Sequence, residues 1–593
     1  MICTPRRLGA ALLLVLTLGL SISGEANPAQ ADARIAKARG ALAHGDGIAA
    51  EMALQQALAA GASRASVAAL MGEAWMDQRD LLKAREWLGP AAFAPADTLH
   101  GLRMLGQLEV AEGNLPAAAK VLDKALALNP DNADVWVDVA QVRYRGGEQA
   151  QAVAAVDHAL ALNGESVRAL LFRGLIVRDQ FGLGPSLPWF EAGLLHQPGN
   201  AELLGDYAAT LGELGRAREM LTVTRHMIQI GVDVPRAFFL QAVLAARAGD
   251  FKLSRALMNR TQDRLRDLPA AMLLQAVLDL HAGNANSAME TLDRLMARQP
   301  QNEPAGLLLA RAMYAAGEQR ALVDRFSGLA GKPGASAYLQ TLVARALEDL
   351  GRRDEAARFL DRAAAVSPAD LVPVLETEDI AALSARYRAA PRNADAAIAY
   401  VRVLLDSGNL TEAGAVAIRL RNDFPGLAAS QALVGDVQYR MGQFGAAAES
   451  YGRAAAVRLD DGLMPRLVLA LARAGRRDKA AQVTMGYLAA HPGSRVAIRL
   501  AADYAASAGD WARARTLLEH LSNTGDACDV RLLSDLAYAQ LRSGDAGGAE
   551  QTAQGAYRLQ PASKIAASAW AMALSARHSQ PGLVSALKAK ARL

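Results

Sequence analysis

Residues 133–166 read ADVWVDVAQVRYRGGEQAQAVAAVDHALALNGES, and the reading of this stretch decides the fold. Trp136 stands fourth in it, Ala140 eighth, Gly147 fifteenth, Ala152 twentieth and Ala159 twenty-seventh. Two helical runs flanking a glycine, each with a tiny residue near its middle, describe an antiparallel helix pair. Two such helices approach closely only where one of them carries almost no side chain, which explains Ala140 and Ala152. Gly147 lies in the turn, where a residue with positive φ ends the first helix at little cost only if it is glycine.

The same 34-residue frame extends outward in both directions. Blocks start at 31, 65, 99, 133, 167, 201, 235, 269, 303 and 337 and reach Asp370 without insertion or deletion. A fixed period of this length is the signature of a stacked repeat array. The eighth position is Ala38, Gly72, Gly106, Ala140, Gly174, Ala208, Ala242, Ala276, Ala310 and Ala344. Glycine fills the fifteenth as Gly45, Gly113, Gly147, Gly215, Gly249, Gly283, Gly317 and Gly351. Pro130, Pro198, Pro300 and Pro368 stand at position 32, where proline stops the second helix. Between these marks the apolar residues recur at helical spacing, as in Val121, Leu122, Ala125 and Leu126.

After Asp370 the register breaks. Residues 371–393 are enough for one helix but not for a pair, and read as a truncated repeat and a bend. Regular units resume at Ala394, Ala428, Gly462 and Arg495, with another near Val530. A last unit from Lys564 to Leu593 carries Trp570 and Ala571 and reads as a cap. The expected organisation is thus residues 1–31, a leader; 32–370, ten repeats in register; 371–393, the bend; and 394–593, a second array.

Composition agrees. The 593 residues are 52% hydrophobic but only 5% aromatic, with alanine and leucine dominant, which favours helix over strand. A chain this long exceeds what one core supports. The net charge is +4, but 64 basic residues are dispersed among 60 acidic ones, without the clustering a nucleic-acid face needs. No nucleic acid is expected as partner.

Arg6 and Arg7 precede an apolar run from Leu8 to Ile22, and Ala29-Gln30-Ala31 offers small residues at a cleavage site. This order describes a secretory signal peptide cleaved near Ala31. The run is short for a spanning helix. The expected location is periplasmic or secreted, with peripheral association with the envelope. The alternative is an uncleaved Leu8–Ile22 segment holding a membrane-anchored assembly factor. Once the leader is removed, Cys528 stands alone and no intramolecular disulfide can form.

No catalytic, cofactor-binding or metal-binding residue is assigned, and no small-molecule substrate or enzyme activity is expected. Gly45-Asp46-Gly47 and Gly182-Leu183-Gly184 lack the third glycine of a dinucleotide turn, and neither follows a strand. Ser585 to Lys588 fits S-x-x-K, a pattern so loose that chance supplies it in a chain of this length. The nine histidines are scattered, without H-E-x-x-H.

On its small-residue columns, turn glycines and period, the chain resembles the tetratricopeptide-repeat (TPR) family over essentially all of the sequence after the leader. The family's aromatic at position 11 is mostly replaced, as by Arg143 and Val177. The resemblance implies an all-α, right-handed superhelical solenoid of about sixteen helix-turn-helix units. It also implies a protein-binding groove lined by first helices at positions 2, 5, 9, 12 and 13. Carried over residue by residue, those positions give Arg103, Tyr144, Arg145, Arg168, Arg178, Arg236, Phe239, Arg247, Arg311, Tyr314 and Tyr338. Arginine and aromatic residues are the types most enriched at binding hot spots. They suit an extended or helical partner segment with acidic and apolar side chains. The equal and opposite reading is a solvated helix face, since 54 of the 64 basic residues are arginine.

Such a protein would be a scaffold or adaptor for envelope proteins. It looks like exported bacterial TPR proteins associated with exopolysaccharide or secretion systems. Carbohydrate binding in the groove is a further alternative. The carboxylate clamp of chaperone-type members wants a basic residue at position 5, where Arg103 alone qualifies among blocks 99 to 336.

Overall fold

Turn chemistry sets the helix boundaries. In the computed structural model every turn glycine named above has positive φ, from 70° at Gly45 to 82° at Gly317, so each closes its first helix in the left-handed region. Of the two positions where the column lacks glycine, Arg79 takes the same conformation at φ 62°, while after Phe181 the positive φ falls on Gly182. Serine, asparagine and aspartate side chains then cap the following helices. Examples are Ser63 on the amide of Ser66, Asn200 on that of Leu203 and Asp250 on that of Leu253.

The model describes residues 28–592, apart from 44, 263, 301, 333–334, 366–378 and 527–528. The Leu8–Ile22 run, Cys3, Cys528, Pro368 and residues 371–378 of the bend therefore lie outside the described residues. Among the described residues there are thirty-three α-helices and no strand. In chain order they form ten couples from Pro28 to Ala365, the single helix Ile380–Ala389, and six couples from Ala394 to Arg592. The all-α helix-turn-helix solenoid expected from the sequence is what the structure shows. Its first helix, Pro28–Ala43, includes the Ala29-Gln30-Ala31 motif. No helix among the described residues is long and apolar enough to cross a membrane.

The chain divides into two compact units, residues 1–142 and 143–593. In each, a first helix packs on its own second helix and on the first helix of the next couple. Arg64–Asp77 thus lies on Thr98–Ala111, and Ala201–Glu213 lies on Val234–Arg247. First helices therefore stack into a wall, unbroken from Ala201–Glu213 to Ala337–Asp349 in the second unit, with second helices behind it.

The small-residue columns act as the spacing requires, with a specific partner. A Cβ placed on Gly174 would come 2.6 Å from the ring of Phe190, and one on Gly435 would come 2.6 Å from the ring of Tyr451. In the first unit a Cβ on Gly106 would meet Leu122 at 2.9 Å. Each of these pairs joins position 8 to position 24. Position 20 is buried throughout, as at Ala50, Ala84, Ala118 and Ala288. The core is a series of clusters along the chain. One runs from Met272 to Leu360, another from Leu383 to Val437, and the next from Ala432 to Ala497.

Candidate binding wall

Successive first helices are joined across the wall by side chains, and this decides what the wall offers. In the first unit, Arg103 Nε donates to Asp138 at 2.8 Å and its Nη1 lies 3.4 Å from Asp134. Gln107 donates to the second oxygen of Asp138 at 2.9 Å. Asp138 is only 2% exposed, so this carboxylate is buried and fully occupied.

The pattern recurs in the second unit. Asp206 receives Arg178 at 3.1 Å from one neighbouring helix and lies 3.3 Å from Arg236 on the other. Arg178 also donates to Thr210 at 3.3 Å. Tyr144 donates its hydroxyl proton to Asp179 in the next block and sets its ring edge-on to Phe172. Burial, then the bond to Asp179, raises the Tyr144 hydroxyl well above the usual phenol range, so it stays a donor. Tyr314 repeats the arrangement with Asp349, likewise one block on, and its hydroxyl is raised by burial first. Further along, buried Tyr451 donates to Asp436 at 2.8 Å while Arg466 grips that carboxylate at 2.9 and 3.1 Å. Burial and the Asp436 charge push the Tyr451 hydroxyl up as well. Arg499 closes the series, 2.8 Å from Asp529 and 3.3 Å from Asp535.

The residues expected to face a partner thus divide. Arg103, Arg178, Arg236 and Tyr144 bridge neighbouring repeats, and Tyr314 bonds Asp349. Arg168 is half-buried near Glu202, whose carboxyl is raised by burial and by Asp206 and lowered back by Arg236 and Arg168. Phe239 is 7% exposed and belongs to the core with Leu240 and Leu278. Tyr338 packs half-buried against the cluster around Leu342. Arg247 reaches back to the carbonyl of Gly212 at 3.2 Å while staying exposed, and Arg145 and Arg311 are exposed. These last three put exposed positive charge on the wall, alongside the exposed acids Glu202 and Glu213.

Sequence reasoning did not single out Asp138 and Asp206, which receive Arg103, Arg178 and Arg236. Asp138 and Asp206 both occupy position 6 of their blocks, a column that is apolar in the other eight, so the sequence held no recurring sign of them. Among the described residues no group of histidine, cysteine, aspartate and glutamate side chains could hold a metal ion.

Residues 103–166 match the family model of the tetratricopeptide repeat. No curated protein matches the sequence. Among solved structures, the chain is similar to a tetratricopeptide repeat protein from Parabacteroides merdae, at 16% identity and a TM-score of 0.31, over 48% of this chain and 99% of that one. It is similar to the APC/C hetero-tetramer Cut9-Hcn1 at 13% identity and a TM-score of 0.28, over 92% of this chain and 97% of that chain. YrrB, a TPR protein with an unusual peptide-binding site, is similar at 14% identity and a TM-score of 0.27, over 32% and 98%.

Proposed function

We propose that this protein is an exported, non-enzymatic scaffold that binds a partner protein along its wall of first helices. The observation that carries this reading is the wall itself. Stacked first helices offer a long face held rigid by its own arginine–aspartate bridges, with Arg145, Arg247 and Arg311 exposed on it. Rigid preorganised surfaces bind with little ordering cost. Exposed arginines select acidic segments and draw them in electrostatically. The partner is a protein of the bacterial envelope, presenting an extended or helical segment with acidic and apolar side chains. The setting is an exopolysaccharide or protein-export system. The supporting feature for export to the periplasm or beyond the cell is the Arg6–Ala31 leader pattern.

Two measurements test this. Affinity capture from solubilised envelopes should recover a stoichiometric partner, and Arg247→Ala with Arg311→Ala should release it while helix content stays unchanged. Recovery of no partner, or equal recovery with the double variant, removes the groove reading. N-terminal sequencing of the protein from cells should start near Asp32. A start at Met1 would leave Leu8–Ile22 as an anchor and turn the reading to a membrane-held assembly factor.

A further inference from the structure

Within the second unit, turns of the C-terminal couples lie against helix couples from the start of that unit. Ala428 donates its amide to Gln149 Oε1 at 3.1 Å, and Leu427 lies against Gly147. The next turn places Arg458 3.0 Å from Asp179 and sends the Leu459 amide to the carbonyl of Gln180 at 3.1 Å. The turn after that brings Ala490 and His491 against Gly182. Further along, Arg345 donates to the carbonyl of Leu559 and Gln560 to that of Leu360. Every C-terminal residue involved sits where a second helix gives way to the next first helix.

The chemistry of this contact is polar and thin. Arg458 and Asp179 keep about a third of their side-chain surface in solvent, 35% and 36%. Exposed ion pairs of this kind hold weakly and are screened by salt. Gln151 Oε1 is buried under Gly426 with no hydrogen-bond partner among the described residues. Leu427 and Ala490 supply its apolar side chains, and the rest of the contact is polar, as where packed bodies move relative to each other. Asp179 is also the acceptor of Tyr144, so the contact is built onto the wall itself.

We propose that the turns at 426–428, 458–460 and 490–491 form a reversible polar latch on residues 147–182, centred on Arg458 and Asp179. Closed, the latch covers the end of the wall at Asp179. Open, it releases that carboxylate to an incoming basic group. The inference concerns the chain's own closure and holds whether or not the wall binds a protein.

Cysteine trapping tests it in the full chain, with Cys3 and Cys528 replaced by serine. In the Gln151→Cys, Gly426→Cys variant, mild oxidation should give an intramolecular cross-link, read as a mobility shift on a non-reducing gel and independent of protein concentration. Arg458→Asp should slow that cross-link about fivefold, and 1 M sodium chloride should slow it as well. The swapped pair Asp179→Arg with Arg458→Asp should return the rate to near its starting value, with the circular-dichroism spectrum unchanged throughout. A rate indifferent to Arg458→Asp and to salt would overturn the latch, and so would the absence of any cross-link in the folded protein. A lost envelope partner with cross-linking intact would instead count against the scaffold reading alone.

Discussion

Asp138 shows what a single residue does in this array. It is 2% exposed, and Arg103 and Gln107 occupy both of its oxygens. Removing one partner from a buried pair leaves an uncompensated charge. Arg103→Ala should therefore cost about 3 kcal/mol in chemical denaturation. An unchanged midpoint would mean that the pair is not structural. Arg79 gives the opposite sign. It holds a left-handed conformation at φ 62°, in the column where other repeats use glycine. A side chain with a Cβ is strained there, so Arg79→Gly should stabilise the first unit by about 1 kcal/mol. A thermal melt showing a loss would contradict the strain argument. The arginine side chain's own surface contacts would then outweigh its backbone.

Across a helix couple, the decisive distance is the one between position 8 and position 24. The space that would hold a Cβ on Gly174 lies 2.6 Å from the ring of Phe190, which is fully buried. Gly174→Ala must push that ring aside and should lose about 1–3 kcal/mol, the ordinary cost of overpacking. Adding Phe190→Leu should recover part of that loss, because the smaller side chain vacates the contested volume. A double variant no better than the simple sum would show that the strain lies elsewhere. The columns themselves were legible: alanine or glycine at position 8 and glycine at 15 signalled close helices and a left-handed turn. Which side chain fills the space opposite was not, because the answer lies sixteen residues further along on another helix.

At the level of the whole molecule, repeat arrays gain stability from neighbour to neighbour, so distant couples seldom influence each other. The latch departs from that rule, joining residues 279 apart in sequence at Gln149 and Ala428, and so do the contacts of Arg345 with Leu559 and of Gln560 with Leu360. Arg458→Asp should leave helix content unchanged yet speed amide exchange at Leu459 and Ala428, whose N–H groups donate across the contact. Protection that persists at both amides would mean that the ion pair does not hold the turns together.

The sequence by itself determined the period, the helical couples and their turns. All of these follow from interactions within about thirty residues, where helical spacing and the backbone freedom of glycine act directly. Tertiary structure alone decided which side chains of the wall meet one another. Arg103, Arg178 and Arg236 looked like binding residues by position, but each meets an aspartate on an adjacent repeat. The turn at Arg458 carries no sign of its partner, because the spacing that brings it to Asp179 is set by how many couples stack between them, not by any local pattern.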